Sequence, residues 1–363
     1  MPSSARALPR ADRPAGNRPA SRLAPDYRDV VDFTAELLRE SKHRLGLKAP
    51  PGAVGDFDPG IRAAVAALWP EWQAASAEAM LCLPEVLAVP GQLELAKQYT
   101  EASLTTELLA APLWHQAYTK PRGYPGDYVV MDHIYRRTPA GDTRFGQMAH
   151  VLAVQIGQFV VQRKNFVGRA IRGTLLQADT GAVPRIVSLG CGPAQEIVEV
   201  LEAGALRGQP ARFVLIDQDA DALRLAGQRI SAARLTHEDA RNTEVELRHQ
   251  TVLRLLREED PTQLLGEPDL IYSAGLFDYF GDRTCRTLTQ RLYAALRPGG
   301  LLLIGNMKAA TDMIWPLELI ADWSLHYRSA ERVLDWAEGL PGAQISLATE
   351  STGYDYLLSL RKT

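Results

Sequence analysis

A short glycine turn after an apolar run is the part of this chain whose residues could bind a ligand. Ile186-Val-Ser-Leu-Gly-Cys-Gly-Pro-Ala-Gln-Glu196 predicts a strand, a tight turn and the start of a helix. Gly190 and Gly192 would let the backbone approach a ligand at a distance where a Cβ atom would collide with it. The helix that follows would direct its free N–H groups toward the same place.

An acidic residue stands at the end of the next predicted strand. Asp217 lies 27 positions after Gly190 (217 − 190). A carboxylate there can accept hydrogen bonds from both hydroxyls of a ribose. The alternative is a solvated acid that caps the following helix. Glycine turns of this kind occur in dinucleotide-binding and in other nucleoside-binding folds, but the dinucleotide fingerprint has a third glycine where this chain has Gln195.

The hydrophobic period changes once along the chain, and this change predicts the elements that position these residues. From about Tyr27 to Gln177 apolar residues recur at helical spacing. After Gly181 strand-like runs alternate with helical ones, which is typical of a doubly wound, mainly parallel sheet. The connection between the last two strands is too short for a parallel crossover, so they should pair antiparallel. We predict strands at Arg185–Leu189, Arg212–Ile216, Val245–His249, Asp269–Ser273, Leu301–Ile304, Ala343–Ala348 and Tyr354–Leu360.

We predict three parts along the 363 residues. Residues 1–25 combine Ala, Arg, Pro and Ser without an apolar run and should be a disordered tail. Residues 26–178 should form a helical cap or substrate domain, and residues 179–363 an α/β cofactor-binding domain.

The bulk composition argues against several classes of partner. A net charge of −3 gives no general attraction to nucleic acid or to acidic membranes, and no apolar stretch approaches the length of a membrane span. The three cysteines are far apart and predict neither a metal site nor a disulfide framework. We therefore expect a cytoplasmic protein with a small-molecule substrate; the oligomeric state stays open.

Four motifs in order resemble class I S-adenosylmethionine (SAM)-dependent methyltransferases. Val187–Glu196 looks like their first motif, Asp217 like their ribose acid, Asp269–Asp278 like their fourth-strand motif, and Leu296-Arg-Pro-Gly-Gly300 like the turn before their fifth strand. The resemblance implies a Rossmann-like, seven-stranded α/β sheet with a terminal antiparallel hairpin, and SAM as cofactor. It also implies that Thr251 and Val252 flank the adenine and that Ser273 and Gly275 lie beside the methionine portion.

A narrower resemblance rests on Lys-Pro-Arg-Gly-Tyr-Pro-Gly-Asp127 and on Tyr272-Ser-Ala-Gly-Leu-Phe-Asp-Tyr279. Both are similar to a bacterial subfamily described as 3-hydroxy-fatty-acid methyl ester synthases, near which azetidine-2-carboxylate synthases also belong. Where that subfamily has a His-Pro-Ser-Asn-Pro-like run, this chain has Met307-Lys-Ala-Ala-Thr-Asp312. The departure falls where an acceptor substrate would bind.

The residues that could act on the sulfonium of SAM lie in the Pro/Gly loop and after the predicted fourth and fifth strands. Tyr124, Tyr128 and Tyr279 could stabilise its positive charge with their ring faces, or could simply pack. Asp127 could receive the ammonium group, or could cap the next helix. Asn306 could orient a nucleophile. Arg122 and Arg163 are candidate partners for a carboxylate on SAM or on a substrate.

Two enzymatic functions fit these residues. The first is methyl transfer to a carboxylate or hydroxyl oxygen of a small molecule, in secondary metabolism or signalling. The second is attack on the γ-carbon of SAM, either by its own amine to give azetidine-2-carboxylate and methylthioadenosine or by an external hydroxyl that accepts the aminocarboxypropyl group. A non-enzymatic SAM-binding protein is the third class, and the intact Gly190, Gly192 and Asp217 argue against a decayed site.

Overall fold

The computed structural model describes residues 23–46, 58–179 and 181–363, and these form two compact units. The first unit comprises the described residues up to Gln158 together with Ala310–Leu325. The second unit comprises Phe159–Ala309 and His326–Thr363. Most of the predicted tail over residues 1–25 lies outside the described residues, and Pro25 already begins the first helix.

The first unit is helical, as the spacing of its apolar residues predicted. Helix α1 begins with Pro25 in its first turn, where the missing N–H costs nothing. The N-cap of α2 is Asp58, whose carboxylate accepts the N–H of Gly60 at 2.7 Å. The helices are α1 Pro25–Leu45, α2 Pro59–Ala88, α3 Gln92–Thr100, α4 Thr106–Leu108, α5 Pro112–Thr119, α6 Tyr128–Arg136 and α7 Arg144–Ile156, with π-helical turns at Glu101–Thr105 and Trp315–Ile320.

Residues 310–325 form an excursion that belongs to the first unit although both of its neighbours in sequence belong to the second. Its Trp315 Nε1 donates a hydrogen bond to Tyr27 Oη at 3.2 Å, and the Trp315 ring lies 5.8 Å from that of Trp72. Thr105 Oγ1 donates to the carbonyl of Ile320 at 2.8 Å. These buried contacts make the excursion part of the core of the first unit.

The second unit is built on a seven-stranded sheet with the strand order β3-β2-β1-β4-β5-β7-β6. All neighbouring pairs from β3 to β5 are parallel, whereas β7 pairs antiparallel with both β5 and β6. The predicted doubly wound sheet and its terminal antiparallel hairpin are therefore confirmed. The strands are β1 Arg185–Leu189, β2 Ala211–Asp217, β3 Thr243–His249, β4 Leu270–Ser273, β5 Leu301–Met307, β6 Ala343–Thr349 and β7 Asp355–Lys362.

Apolar layers cover both faces of this sheet. On one face Ile186 and Phe213 pack with helices before and after β1, and on the other Val187 and Val214 pack with helices nearer the chain end. The alternation follows from the side-chain period of two along a strand. The helices of this unit are α8 Gln158–Gln177, α9 Gln195–Glu202, α10 Ala220–Thr236, α11 Val252–Arg257, α12 Pro261–Leu265, α13 Asp282–Ala295 and α14 Ala330–Leu334, with 3₁₀ turns at Glu238–Ala240, Phe277–Tyr279 and Asp335–Ala337.

The observed division between the two units falls after Gln158 and on either side of Ala310–Leu325, whereas the sequence predicted one boundary between residues 178 and 179. Helix α8 places Val167 and Ile171 in the apolar layer on the sheet, so it belongs with the second unit. The excursion, by contrast, packs with the first unit. In the described ranges, no helix combines the length and the apolar character that crossing a membrane requires.

Candidate functional site

The glycine turn joins the carboxyl ends of β1 and β2. The N–H groups of Gly190 and Cys191 both donate to the carbonyl of Ile216, at 2.8 and 3.2 Å. Gly190 has a φ of +69° and Gly192 a φ of +51°, a region that glycine enters without steric cost. Apart from Gly192 itself and its two neighbours in sequence, no described residue has an atom within 4 Å of the place where a Cβ on Gly192 would stand. The turn therefore presents open backbone at this edge of the sheet.

Asp217 is fixed against that turn. Its Oδ2 accepts the N–H of Gly192 at 2.8 Å and its Oδ1 accepts the N–H of Asp219 at 2.9 Å. Burial raises the pKa of Asp217, and the backbone N–H groups of Asp219 and Gly192 act in the opposite direction. Each carboxylate oxygen has a second lone pair in addition to the one that accepts these bonds. Asp217 is thus oriented at the carboxyl end of β2, as the sequence predicted.

Thr251 and Val252 lie next to the same edge. The N–H of Gln250 donates to the backbone carbonyl of Asp217 at 2.9 Å, which brings the end of β3 to the end of β2. Thr251 is the exposed N-cap residue of α11, and Val252 is the first residue of that helix. Their contact with an adenine stays a prediction.

Ser273 ends β4 with a polar atom that the described chain does not use. Its Oγ is buried and has no hydrogen-bond partner among the described residues. A little further along, the loop reaches the glycine turn, because a Cβ on Gly190 would stand 3.4 Å from that of Leu276. Ser273 therefore lies at the edge where β1, β2 and β4 end.

A buried charge cluster lies beyond Gly275. Arg163 on α8 places its Nη1 3.4 Å from Asp278 Oδ2 and 3.3 Å from Asp355 Oδ2. A Cβ on Gly275 would stand only 2.6 Å from Arg163 Nη2, so glycine at this position leaves room for the guanidinium. Burial raises the pKa of Asp355 to about 8, and Arg163 opposes that rise. The sequence predicted Arg163 as a partner for a carboxylate on SAM or on a substrate, whereas in the structure it faces two aspartates of the chain itself, and neither of these was predicted.

Asn306 lies in β5 and is fully buried. Its Nδ2 donates to the carbonyls of Met307 and His326 at 2.7 and 3.1 Å, and its Oδ1 accepts from Arg328 Nη1 at 2.6 Å. The Asn306 amide therefore links the end of β5 to His326 and Arg328, which follow the excursion in sequence. Because both amide hydrogens are used by the chain itself, the contacts favour a structural role over the predicted orientation of a nucleophile.

A second buried pair, which sequence reasoning missed, connects β4 to the helix after the glycine turn. Tyr272 Oη donates to Glu196 Oε1 at 2.6 Å, and both side chains are buried. Burial raises the pKa of Glu196, and the hydrogen bond from Tyr272 partly offsets this rise. Glu196 ends the quoted glycine motif, and its place there is the signal that could have drawn attention to it. Tyr279, the remaining predicted aromatic of this unit, ends the 3₁₀ turn after β4 and is half-buried.

The Pro/Gly loop belongs to the first unit, where Asp127 is the N-cap of α6. Its Oδ1 accepts the N–H groups of Val129 and Val130 at 2.9 and 3.0 Å, and its Oδ2 accepts from Gln116 Nε2 at 2.7 Å. Asp127 is fully buried. These contacts support the capping alternative, because Asp127 Oδ1 accepts two N–H groups of the first turn of α6 and Oδ2 accepts a third hydrogen bond from within the chain.

The two tyrosines of this loop are half-buried. The Tyr128 ring lies under the guanidinium of Arg122, 4.7 Å from ring centroid to Cζ, which already gives that ring a cation. The roles of Tyr124 and Tyr128 toward a sulfonium stay predictions. Across the parts of the chain that the structure describes, no group of three or more His, Cys, Asp or Glu side chains could hold a metal ion.

No model of a known protein family matches the chain, and no curated protein matches it in sequence. Solved structures are similar to it in fold. A possible exported protein from Bordetella parapertussis is 16% identical with a TM-score of 0.47, covering 85% of this chain and 99% of that one. The CurJ carbon methyltransferase is 15% identical with a TM-score of 0.46, covering 93% and 91%. Magnesium protoporphyrin IX methyltransferase from Synechocystis PCC 6803 with bound SAM is 12% identical with a TM-score of 0.42, covering 68% and 97%.

The observed strand order by itself matches the Rossmann-like, seven-stranded α/β fold with a terminal antiparallel hairpin that the motifs predicted. A helical N-terminal region accompanies it, as expected.

Proposed function

We propose that the second unit binds SAM and that the chain is a SAM-dependent enzyme acting on a small molecule. The observation that carries the proposal is the hydrogen bond from Gly192 N–H to Asp217 Oδ2, 2.8 Å long, at the carboxyl ends of β1 and β2. The strand order reverses beside β1, since β2 lies on one side of it and β4 on the other. Ligands of open α/β sheets bind at such a switch point.

The residues at this edge fit the parts of SAM. Gly192 offers open backbone, and Asp217 offers oriented carboxylate oxygens to the two ribose hydroxyls. Ser273 Oγ, buried and without a partner among the described residues, is a polar atom that the methionine portion would satisfy. Thr251 and Val252 would flank the adenine. SAM would satisfy polar groups at this edge that the described chain leaves unused, and this supports SAM as the ligand.

For the reaction we propose methyl transfer to a carboxylate or hydroxyl oxygen. When bound, SAM supplies a positive sulfur bonded to electrophilic carbons, a chemistry that requires position and exclusion of water rather than a metal ion. A carboxylate acceptor is already ionised and needs no base. The resemblance of the Lys120–Asp127 loop and of Tyr272–Tyr279 to the 3-hydroxy-fatty-acid methyl ester synthases supports this choice.

Attack on the γ-carbon of SAM is the second candidate, supported by the run that departs from that subfamily. The structure uses the start of this run for its own pairing: Met307 N–H donates to Asp278 Oδ1 at 2.7 Å, and Lys308 forms a β-bridge with Arg328. Both contacts are made by backbone groups of the run, so its departure from that subfamily changes the side chains that follow β5 and not these contacts.

Cofactor binding is tested with the purified full chain by calorimetric titration of SAM. Asp217→Asn should weaken binding by about 10- to 100-fold, because a carboxylate accepts from two hydroxyls and an amide oxygen replaces only one of its acceptors. The matched control is Asp221→Asn, an acid in the first turn of α10 that pairs with Arg224 at 2.9 Å. Wild-type protein that does not bind SAM, or equal affinities for Asp217→Asn and wild type, would contradict the proposal.

The reaction is tested by product analysis. The chain is incubated with SAM alone and, in parallel, with 3-hydroxy fatty acids as acceptors. Adenosylhomocysteine that forms only with an acceptor supports methyl transfer. Methylthioadenosine formed from SAM alone supports cyclisation, and methylthioadenosine that requires the acceptor supports aminocarboxypropyl transfer. SAM that binds and is recovered unchanged from every incubation would point to the non-enzymatic class.

A further inference from the structure

Strand β6 is one edge of the sheet, and one row of its backbone groups has no partner among the described residues. The register pairs Ala343 with Lys362 and Thr349 with Tyr356. Just outside the strand, Thr363 N–H donates to the Gly342 carbonyl at 2.9 Å and Glu350 N–H donates to the Asp355 carbonyl at 3.2 Å. Since bonded and non-bonded pairs alternate in an antiparallel ladder, the even-numbered residues of β6 bond to β7.

The odd-numbered residues of β6 therefore turn their backbone N–H and C=O groups away from β7. These residues are Ala343, Ile345, Leu347 and Thr349. No described residue bonds to the four N–H and four C=O groups that they carry. The edge thus presents a ready template for another strand.

The side chains of β6 do nothing to block such pairing. The strand reads Ala-Gln-Ile-Ser-Leu-Ala-Thr and holds no charge and no proline, which are the residues that usually protect an edge. The opposite edge of the sheet, β3, reads Thr-Glu-Val-Glu-Leu-Arg-His and carries charges at three positions. Charged side chains therefore protect the β3 edge against pairing with another strand, whereas no charged side chain protects the β6 edge.

The apolar face of β6 is also incomplete. Ala343 and Leu347 pack against the apolar layer that covers one face of the sheet. Ile345 stands between them on the same face, since side chains two apart share a face, yet it is 46% exposed. A strand added at this edge would continue the layer over Ile345.

We propose that β6 pairs with β6 of a second copy of this chain, antiparallel about a two-fold axis at Ser346. In this register Ile345 faces Leu347 of the partner subunit and Ala343 faces Thr349 of the partner subunit. All the outward N–H and C=O groups of both strands are then bonded. The two large apolar side chains, Ile345 and Leu347, then face each other, and no charge opposes a like charge because β6 carries none. The two sheets become one continuous sheet, and this assembly is independent of the proposed function.

The self-association is tested by sedimentation equilibrium of the full chain over a range of concentrations. Wild type should be a dimer, and Ile345→Lys should be a monomer because the new charges would face an apolar partner strand. The matched control is Leu247→Lys on β3, where the leucine is 43% exposed, and this variant should stay a dimer. A monomeric wild type, or dimers of Ile345→Lys as strong as those of wild type, would overturn the proposal.

The register is tested by cysteine cross-linking with oxidised glutathione as oxidant. In the proposed pairing the two Ser346 residues form a non-bonded pair with Cα atoms about 4.5 Å apart, which is within disulfide range. Ser346→Cys should therefore form a covalent dimer, whereas Gln344→Cys, which faces Ala348 of the partner subunit, should not. The native cysteines are buried, so the background should be low. Equal cross-linking of both variants would contradict the two-fold at Ser346.

Hydrogen exchange distinguishes pairing of β6 with a second copy from coverage of the β6 edge by a segment of the same chain. The amides of Ile345 and Leu347 should be protected in wild type and exchange freely in monomeric Ile345→Lys. If a monomeric wild type protected these amides, a segment of the same chain would cover the edge, and the proposal would be wrong.

Discussion

Arg163 Nη1 lies 3.3 Å from Asp355 Oδ2 and 3.4 Å from Asp278 Oδ2, so one guanidinium faces two carboxyl groups. All three side chains are buried. Arg163 lies on α8, before the first strand of the sheet, and Asp355 begins β7, the last strand. The cluster therefore joins the first and the last elements of the second unit beside the end of β4.

Replacing Arg163 with Met should lower the free energy of unfolding by about 3–5 kcal/mol, because a buried ion pair that loses one partner leaves an uncompensated charge. Urea denaturation measures this loss. Above about pH 8, where Asp355 is ionised, the double variant Arg163→Met/Asp355→Asn should recover part of it, since a neutral amide then replaces a carboxylate that has lost its cation. A double variant no more stable than Arg163→Met alone would show that the two residues are not coupled.

The stability of the second unit should fall as pH rises from the ordinary aspartate range to about 8. Burial raises the pKa of Asp355 from 3.8 to about 8, so the folded protein holds a proton that the unfolded chain releases. A raised pKa of an acid gives stability that is complete below its unfolded value and is lost as pH rises through the folded value.

Asp355→Asn has no such proton. Its free energy of unfolding, measured by urea denaturation relative to wild type, should improve steadily between about pH 5 and pH 8, by at most about 1.4 kcal/mol per pH unit, and then level off. A difference that is constant with pH would refute the raised pKa.

Glu318, in the first unit, should also make the free energy of unfolding decrease as pH rises, over a narrower pH range. Burial raises its pKa from 4.5 to about 7, while Leu325 N–H and Ser324 Oγ donate to its two oxygens, each at 3.0 Å. Folding is therefore favoured by low pH, and this advantage is lost as pH rises to about 7. Glu318→Gln can accept from Leu325 and donate to Ser324 Oγ, so it should gain stability over wild type until about pH 7 and level off there. Thermal unfolding of both proteins at several pH values measures this, and parallel curves would contradict it.

Gly305→Ala should destabilise the protein more than Gly275→Ala. A Cβ on Gly305 would collide with the backbone carbonyl of Ala274, whereas a Cβ on Gly275 would meet the movable tip of Arg163 at 2.6 Å. We expect a loss of about 3 kcal/mol for the first and about 1 kcal/mol for the second, measured by urea denaturation. In an Arg163→Met background the cost of Gly275→Ala should shrink, because its collision partner is gone. Equal costs for the two alanines would contradict this expectation.

The parts of the site that the sequence predicted are local in the chain. The glycine turn and Asp217 could be located because each follows directly from a strand end, and a short connection was enough to predict the antiparallel hairpin. The sequence could not decide the role of Asp127, because an acid after a Pro/Gly loop and before a helix has the same local pattern whether it binds a ligand or caps the helix. The structure shows it in the cap.

The parts that escaped prediction are those whose partners are remote. Arg163 meets Asp278 across 115 positions and Asp355 across 192, and no local pattern links them. The excursion likewise carries no local pattern that shows where it packs, and only its contacts with Tyr27 and Thr105 reveal which unit it completes. For the same reason the expected boundary at residue 178 differs from the observed division.

The excursion also bears on the order in which the protein can form during synthesis. Trp315 and Ile320 complete a core whose other residues leave the ribosome much earlier, because that core otherwise ends at Gln158. Domains generally fold as units in the order in which they emerge. Here the packing of the amino-terminal helices is completed only after residues 310–325 have been translated, by which time strands β1 to β5 of the second unit have also been synthesised.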